Sequence, residues 1–132
     1  MMILVAGPYR SGTGDDRRLM QDNLDRLEQA AWPLFEAGHI PMIGEWVALP
    51  ILRSAGVEGV TDPLAEQVMY PTARRLLQLC GGVLRLPGES RGADQDVAIA
   101  RERGIPVWFS LEDVPGVHVQ AGSWPYRKEE HI

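Results

Sequence analysis

Two short glycine-containing loops hold most of the side chains that could do chemistry. The first is Gly7-Pro8-Tyr9-Arg10, and the second is the segment 87–92, which includes Gly88, Ser90 and Gly92. A glycine-rich turn that leads into a helix offers free backbone N–H groups and the positive end of the helix dipole, and both bind anions such as phosphate. Ser90 adds a hydroxyl, and Arg10 adds a guanidinium that can grip phosphate or carboxylate. Neither loop matches the dinucleotide fingerprint or the P-loop lysine motif, so NAD or triphosphate sites of those types are poorly supported.

Two aspartates in the helix predicted after the second loop are candidates for acid chemistry. Asp94 and Asp96 are two positions apart, so a helix points them to nearly opposite sides and they cannot share a proton. Val97 and Ala100 form the predicted buried stripe, and Asp96 lies next to it. We therefore expect Asp96 to face a crevice. The alternative is that both are ordinary acids that complement the helix dipole.

The elements that must position these residues alternate between strand and helix. The apolar run 3–7 is typical of a strand that is buried on both faces. Apolar spacing from Met20 to Phe35 predicts one amphipathic helix, with Asp15 or Asp16 as its N-cap and Gly38 as its stop. Further strands are predicted at 40–43, 82–86 and 105–110, and a helix is predicted at 93–103.

The middle of the chain leaves two choices open. Residues 44–61 are apolar but interrupted by Pro50, which suits a mobile loop or a short helix. Asp62 and Pro63 are a good helix start, and the helical pattern continues to Cys80. Because Pro71 must break or kink it, one bent helix and two consecutive helices are equally compatible.

These elements predict a three-layer α/β/α fold, of the flavodoxin or Rossmann kind, with a mostly parallel sheet of four or five strands. Residues 1–121 would form a single domain, with a possible edge strand at 117–120, and residues 122–132 a polar tail. In such sheets the ligand crevice lies beyond the carboxyl ends of the strands. Both glycine-containing loops follow predicted strands, so they should meet there.

The composition of the chain limits which binding partners are expected. The chain has 132 residues, a net charge of −5 and one cysteine, Cys80. An acidic protein is a poor partner for a nucleic-acid polymer or an anionic membrane, because both attract basic surfaces. The single thiol and three scattered histidines have no zinc-ligand spacing, so we expect no metal and no cofactor. The start of the chain lacks the features of a signal peptide, which indicates a cytoplasmic protein. Trp46, Met69 and Tyr70 could stack on a base, and the apolar segment 44–71 that contains them fits a homodimer or higher oligomer equally well.

The strand and loop 3–10, together with 86–88 and 90–100, resemble the nucleoside 2-deoxyribosyltransferase superfamily, and most closely its small bacterial DUF4406-type proteins. The most specific part is the Ser-x-Gly-x-x-x-acid spacing, which begins at Ser90 and ends at Asp96. The resemblance implies that Asp96 is the catalytic carboxylate, attacking or stabilising the anomeric carbon of a (deoxy)nucleoside or its 5′-monophosphate. It also implies that Gly7, Tyr9 and Arg10 belong to the sugar or base pocket and that Ser90 and Gly92 hold the 5′ end.

Three departures from the family pattern motivate a second hypothesis. Asp96 stands where relatives usually carry glutamate, Leu4 where many carry tyrosine, and Arg85-Leu86 where many carry an acid. Glu45, Asp62 and Glu89 are the candidates for that missing acid. The alternative function is a non-catalytic module of the same fold that binds or senses a nucleotide.

Overall fold

Strands and helices alternate along the whole part of the chain that the structure, a computed structural model, describes, which is residues 1–118. The strands are β1 (Met2–Ala6), β2 (Ile40–Met42), β3 (Gly82–Arg85) and β4 (Val107–Trp108). The helices are α1 (Arg17–Glu28), α2 (Ala31–Glu36), α3 (Gly44–Ser54), α4 (Leu64–Leu77) and α5 (Arg91–Glu102). A short 3-10 helix, Leu111–Asp113, follows β4. None of these helices is long and apolar enough to cross a membrane.

The four strands form one parallel sheet in the order β2-β1-β3-β4, which confirms the predicted α/β class. Leu4 of β1 pairs with Met42 on one side and with Val83 on the other. The chain therefore moves from β1 to one neighbour and later crosses to the opposite side. The fifth strand predicted at 117–120 is not seen at residues 117 and 118, and its remainder and the tail 122–132 lie outside the described residues.

Helices cover both faces of the sheet, which is why β1 is apolar along its whole length. Ile3 and Val5 pack with residues of α1 and α2, including Leu27 and Leu34. On the opposite face, Leu4 and Ala6 pack with side chains from α4 and α5. The three-layer arrangement leaves the carboxyl end of β1 as the place where loops from both sides converge.

The single helix predicted from Met20 to Phe35 is wrong, because the chain forms α1 and α2 with a break between them. In a continuous helix, Pro33 would remove an N–H donor and its ring would press on the carbonyl of Gln29. Placing Pro33 in the first turn of a new helix avoids both costs. The predicted cap is confirmed at Asp16, whose carboxylate accepts hydrogen bonds from the N–H groups of Arg18 and Leu19.

The open choices in the middle of the chain have clear outcomes. Segment 44–61 begins as the helix α3, which continues through Pro50, and α4 is one helix that continues through Pro71. The helix α5 begins at Arg91 rather than at residue 93, because Ser90 caps it. The predicted strands at 40–43, 82–86 and 105–110 are each longer than the observed β2, β3 and β4.

Candidate functional site

A cavity of about 350 Å³ lies beyond the carboxyl end of β1. Its floor is formed by β1 and Gly7, and its walls come from the starts of α3 and α5 and from α4. Because β2 and β3 flank β1, the segments that follow all three strands meet at this point, the topological switch of the sheet. The volume lies in the range of about 300–1,000 Å³ that is usual for small-molecule sites.

The structure brings together most of the residues that the sequence singled out. Six of them line this cavity: Gly7, Tyr9, Arg10, Ser90, Gly92 and Asp96. Pro8 and Gly88 do not line it. They pack against each other instead, since a β-carbon on Gly88 would lie 2.6 Å from Cγ of Pro8. Gly88 also has a φ of 118°, which glycine alone adopts readily. These two residues therefore hold the two loops together.

The β1–α1 loop is held by its own polar groups. The amide of Asn23 donates to the carbonyl of Tyr9 at 2.8 Å, and Gly7 approaches Leu27 so closely that a β-carbon there would lie 2.7 Å from Cδ2. Tyr9 is half-buried, and burial, with a further contribution from nearby Glu45, raises the pKa of its hydroxyl. Tyr9 is therefore held in the cavity wall as a neutral hydrogen-bonding group.

Arg10 is engaged within its own loop. Its Nε and Nη2 donate to the two carboxylate oxygens of Asp15 at 2.6 and 3.3 Å. This hydrogen bond raises the pKa of Arg10 and lowers that of Asp15. Asp15 adopts a φ of 64°, a left-handed conformation in which aspartate and asparagine are the most tolerated side chains after glycine. The loop conformation thus brings the carboxylate to Arg10.

The β3–α5 loop is organised by Ser90 and Arg85. The buried Ser90 hydroxyl oxygen accepts a hydrogen bond from the N–H of Ala93 at 3.1 Å, so it caps α5. Arg85 lies under the loop with 8% of its surface exposed. Its guanidinium donates to the carbonyls of Leu86 and Gly88 and to the carboxylate of Asp94, the last at 2.9 Å. Arg85 thereby fixes the turn from which α5 begins.

The two aspartates of α5 lie on different sides of the helix. The Asp94 side chain is 72% exposed and pairs with Arg85. Asp96 lies two residues further along the helix and lines the cavity. The pKa of Asp96 is raised to about 7. Burial is the largest cause, the charge of Glu45 adds to it, and the positive charge of Arg85 opposes both. A carboxyl group with a pKa near 7 exchanges its proton in the physiological range, which is a property of catalytic acids and bases.

Glu45 is the acid that sequence reasoning left unselected. Of Glu45, Asp62 and Glu89, Glu45 alone is in the cavity lining. It stands in the first turn of α3, and burial raises its pKa, while a hydrogen bond from its own backbone N–H lowers it. Asp62 instead accepts a hydrogen bond from the N–H of Leu64 at 2.8 Å. Recognising Glu45 required knowing that a helix starts directly after β2.

Other residues of the lining were only partly foreseen. Met69 and Tyr70 of α4, suggested by their types as surfaces for a base, do line the cavity. Trp46, suggested with them, points elsewhere and donates from its indole nitrogen to Glu28 at 2.7 Å. Glu66, on the first turn of α4, lines the cavity although nothing in the sequence pattern marked it. Within residues 1–118, no three His, Cys, Asp or Glu side chains form a group that could hold a metal ion.

The fold and the site define a parallel α/β domain with an acidic cavity at its switch point. No protein-family model, curated protein or solved structure matches the chain. The chemistry of the cavity is therefore derived from its own side chains.

Proposed function

We propose that this protein cleaves or transfers at the N-glycosidic bond of a (deoxy)nucleoside or nucleoside 5′-monophosphate, with Asp96 as the active-site carboxylate. The observation that carries the proposal is the position of Asp96 in one cavity with a second acid, Glu45, and with Tyr9 and Arg10. Two carboxyl groups held in one cavity are the minimal equipment for chemistry at an anomeric carbon.

The chemistry follows that of a retaining glycosidase. The ionised Asp96 carboxylate attacks C1′, the C1′–N bond breaks, and its electron pair goes to the base, which takes up a proton from water. Water, or the nitrogen of a second base, then attacks C1′ of the Asp96 ester. That attack releases the carboxylate and gives the free sugar or a new nucleoside, while the attacking group loses a proton.

The negative charge of Glu45 helps to set the pH at which Asp96 becomes a nucleophile. Both groups have raised pKa values, and the negative charge of Glu45 is one reason why the pKa of Asp96 is about 7. Asp96 therefore holds its proton below about pH 7 and is an ionised nucleophile above it. Met69 and Tyr70 offer apolar surface against which a base can stack.

The test is release of free base from a panel of deoxynucleosides, ribonucleosides and their 5′-monophosphates, followed by chromatography. We expect turnover with at least one of them, with kcat/KM rising as the pH increases through about 7, because Asp96 must lose its proton to attack. Asp96→Asn should abolish it, while the matched change Asp22→Asn, at an exposed position on α1, should not. Absence of turnover across the panel, or turnover that survives Asp96→Asn, would contradict the proposal.

A non-catalytic nucleotide-binding or sensing module is the second candidate. It is favoured by the same pKa of about 7, because below that pH Asp96 is a protonated carboxyl group that donates a hydrogen bond instead of attacking. Such a module would be stabilised against heat by an unchanged ligand. Thermal-shift measurements with chromatographic recovery of the ligand separate the two candidates: a stabilising ligand recovered intact supports the module, and one recovered as free base supports the enzyme.

A further inference from the structure

The charges around the cavity are unevenly distributed. Among residues 1–118, which the structure describes, its lining contains four carboxylic acids and two guanidinium groups, those of Arg10 and Arg91. The acids are Asp15, Glu45, Glu66 and Asp96. A phosphate group at the 5′ end of a ligand carries a charge of about −1.5 to −2 at neutral pH, so it needs cations that are free to receive it.

Neither cation of the lining is free of acidic neighbours. The Nε and Nη2 nitrogens, which form one edge of the Arg10 guanidinium, both donate to Asp15, and the charge of Glu66 acts on the same guanidinium. Arg91, exposed at the first position of α5, lines a surface depression together with Glu66 and Asp94. A phosphate that approaches this edge of Arg10 would therefore have to displace Asp15 while Glu66 repels it.

The N-terminus of α5 would add little stabilisation to a bound phosphate. The N–H of Ala93, in the first turn, donates to the Ser90 hydroxyl oxygen, and Asp94 places a further negative charge in that turn. Beneath the loop, Arg85 is already bonded to two carbonyls and to Asp94. Of the groups that the sequence suggested for the 5′ end, the Ser90 hydroxyl oxygen is thus already engaged by an internal partner.

Building on the proposed function, we propose that the site accepts nucleosides whose 5′ end is a free hydroxyl and discriminates against 5′-monophosphates, with Asp15 and Glu66 as the residues that set this specificity. Asp15 competes with a phosphate for the Arg10 guanidinium, and Glu66 places a further negative charge beside Arg10 that repels the phosphate. A neutral 5′-hydroxyl can instead donate a hydrogen bond to a carboxylate at the same place. Charge exclusion of this kind acts through repulsion of the wrong ligand as much as attraction of the right one.

The test compares each 2′-deoxynucleoside with its own 5′-monophosphate, as the ratio of their kcat/KM values for base release. In the unchanged protein we expect the nucleoside to be preferred. In the double variant Asp15→Asn with Glu66→Gln, the preference should fall by about tenfold, because two negative charges next to the phosphate are removed. Asparagine suits the left-handed conformation at position 15, so the loop should keep its shape. Higher salt should also reduce the preference, since the charges concerned are exposed.

The matched control is Glu36→Gln, which changes the net charge equally at an exposed position on α2, on the opposite face of the sheet. It should leave the ratio unchanged. Equal or better use of the 5′-monophosphate by the unchanged protein would overturn the inference, and so would a ratio that the double variant does not alter.

Binding measurements keep this inference separate from the proposed function. If no base is released from any compound, titration calorimetry with the same pairs still tests it: tighter binding of the nucleosides supports the charge argument while the catalytic proposal fails. Tighter binding of the 5′-monophosphates overturns the inference but leaves catalysis to be judged by turnover. Binding of neither type removes both.

Discussion

Asp96→Asn should make the protein more stable, and increasingly so as the pH rises. The pKa of Asp96 in the folded protein is about 7, against an ordinary value of 3.8. The unfolded chain therefore releases this proton at a lower pH than the folded protein does. Between these two values, raising the pH favours unfolding, and the loss is complete once the pH exceeds the folded pKa. Asparagine has nearly the same shape and carries no charge at any pH.

The size of the effect follows from the two pKa values. One pKa unit corresponds to about 1.36 kcal/mol, so a shift from 3.8 to about 7 amounts to about 4 kcal/mol when fully developed. The same linkage gives about 1.7 kcal/mol near pH 5 and about 4 kcal/mol near pH 8. For a chain of this length, each kcal/mol corresponds to roughly 3–4 °C in Tm.

The assay is urea denaturation of both proteins at several pH values between about 5 and 8, with the free energy of unfolding taken from each curve. The difference in favour of Asp96→Asn should widen by about 2–3 kcal/mol across that range. Asp22→Asn serves as the control, because it removes the same charge from an exposed position on α1. A difference between Asp96→Asn and the unchanged protein that stays constant with pH would refute the reasoning, since a buried ionisable group must show this linkage.

Three further changes probe the supports of the site. Glu45→Gln should lower the pKa of Asp96 below about 7 but leave it above 3.8, because the burial of Asp96 remains. Carbon-detected NMR titration of the Asp96 carboxyl group measures this pKa, and an unchanged value would mean that the two groups do not interact. Arg85→Met should raise the pKa of Asp96 further and cost about 2 kcal/mol of stability, since the carbonyls of Leu86 and Gly88 lose a buried donor. Asp94→Asn should cost less than about 1 kcal/mol, because that carboxylate is exposed. Equal costs of the two variants in urea denaturation would contradict this. Gly88→Ala should cost at least about 2 kcal/mol of stability, because both the φ of Gly88 and its contact with Pro8 exclude a β-carbon. Gly104→Ala should cost about 1 kcal/mol, because Gly104 has a φ of 73° but open space around it. The reverse order would show that the loop contact is unimportant.

The sheet could be predicted because its signal is local. The apolar run of β1 and the run that contains β3 mark strands covered on both faces, and parallel pairing follows from the helices between them. The division of the first helical region could not be seen in the same way, because the apolar spacing continues through Ala30 and Leu34 on both sides of the break. Pro33 was the only local sign, and a proline is compatible with a kink, a break or a first turn.

Only part of the candidate site could be predicted from the sequence. Asp96 could be assigned to the crevice because it adjoins the buried stripe of its own helix, a relation contained in residues 96–100. Glu45 and Glu66 reach the cavity because α3 and α4 fold over the end of β1, which depends on contacts between distant parts of the chain. The loops behave similarly: Arg10 and Ser90 have side chains suited to an anion, but their internal partners become visible only in three dimensions.

Glu45 and Asp96 differ in how their helices stabilise the ionised form. Glu45 stands in the first turn of α3, where its own backbone N–H stabilises the ionised form, whereas Asp96 stands in the second turn of α5, beyond the unpaired N–H groups of that helix. Burial raises the pKa of both groups, and the charge of Glu45 adds to this effect at Asp96, which brings the pKa of Asp96 to about 7. Arg85 opposes this by placing a buried positive charge nearby, which keeps the pKa of Asp96 from rising higher. The position of α5 and the burial of Arg85 together hold Asp96 at the pH where it can change between acid and nucleophile.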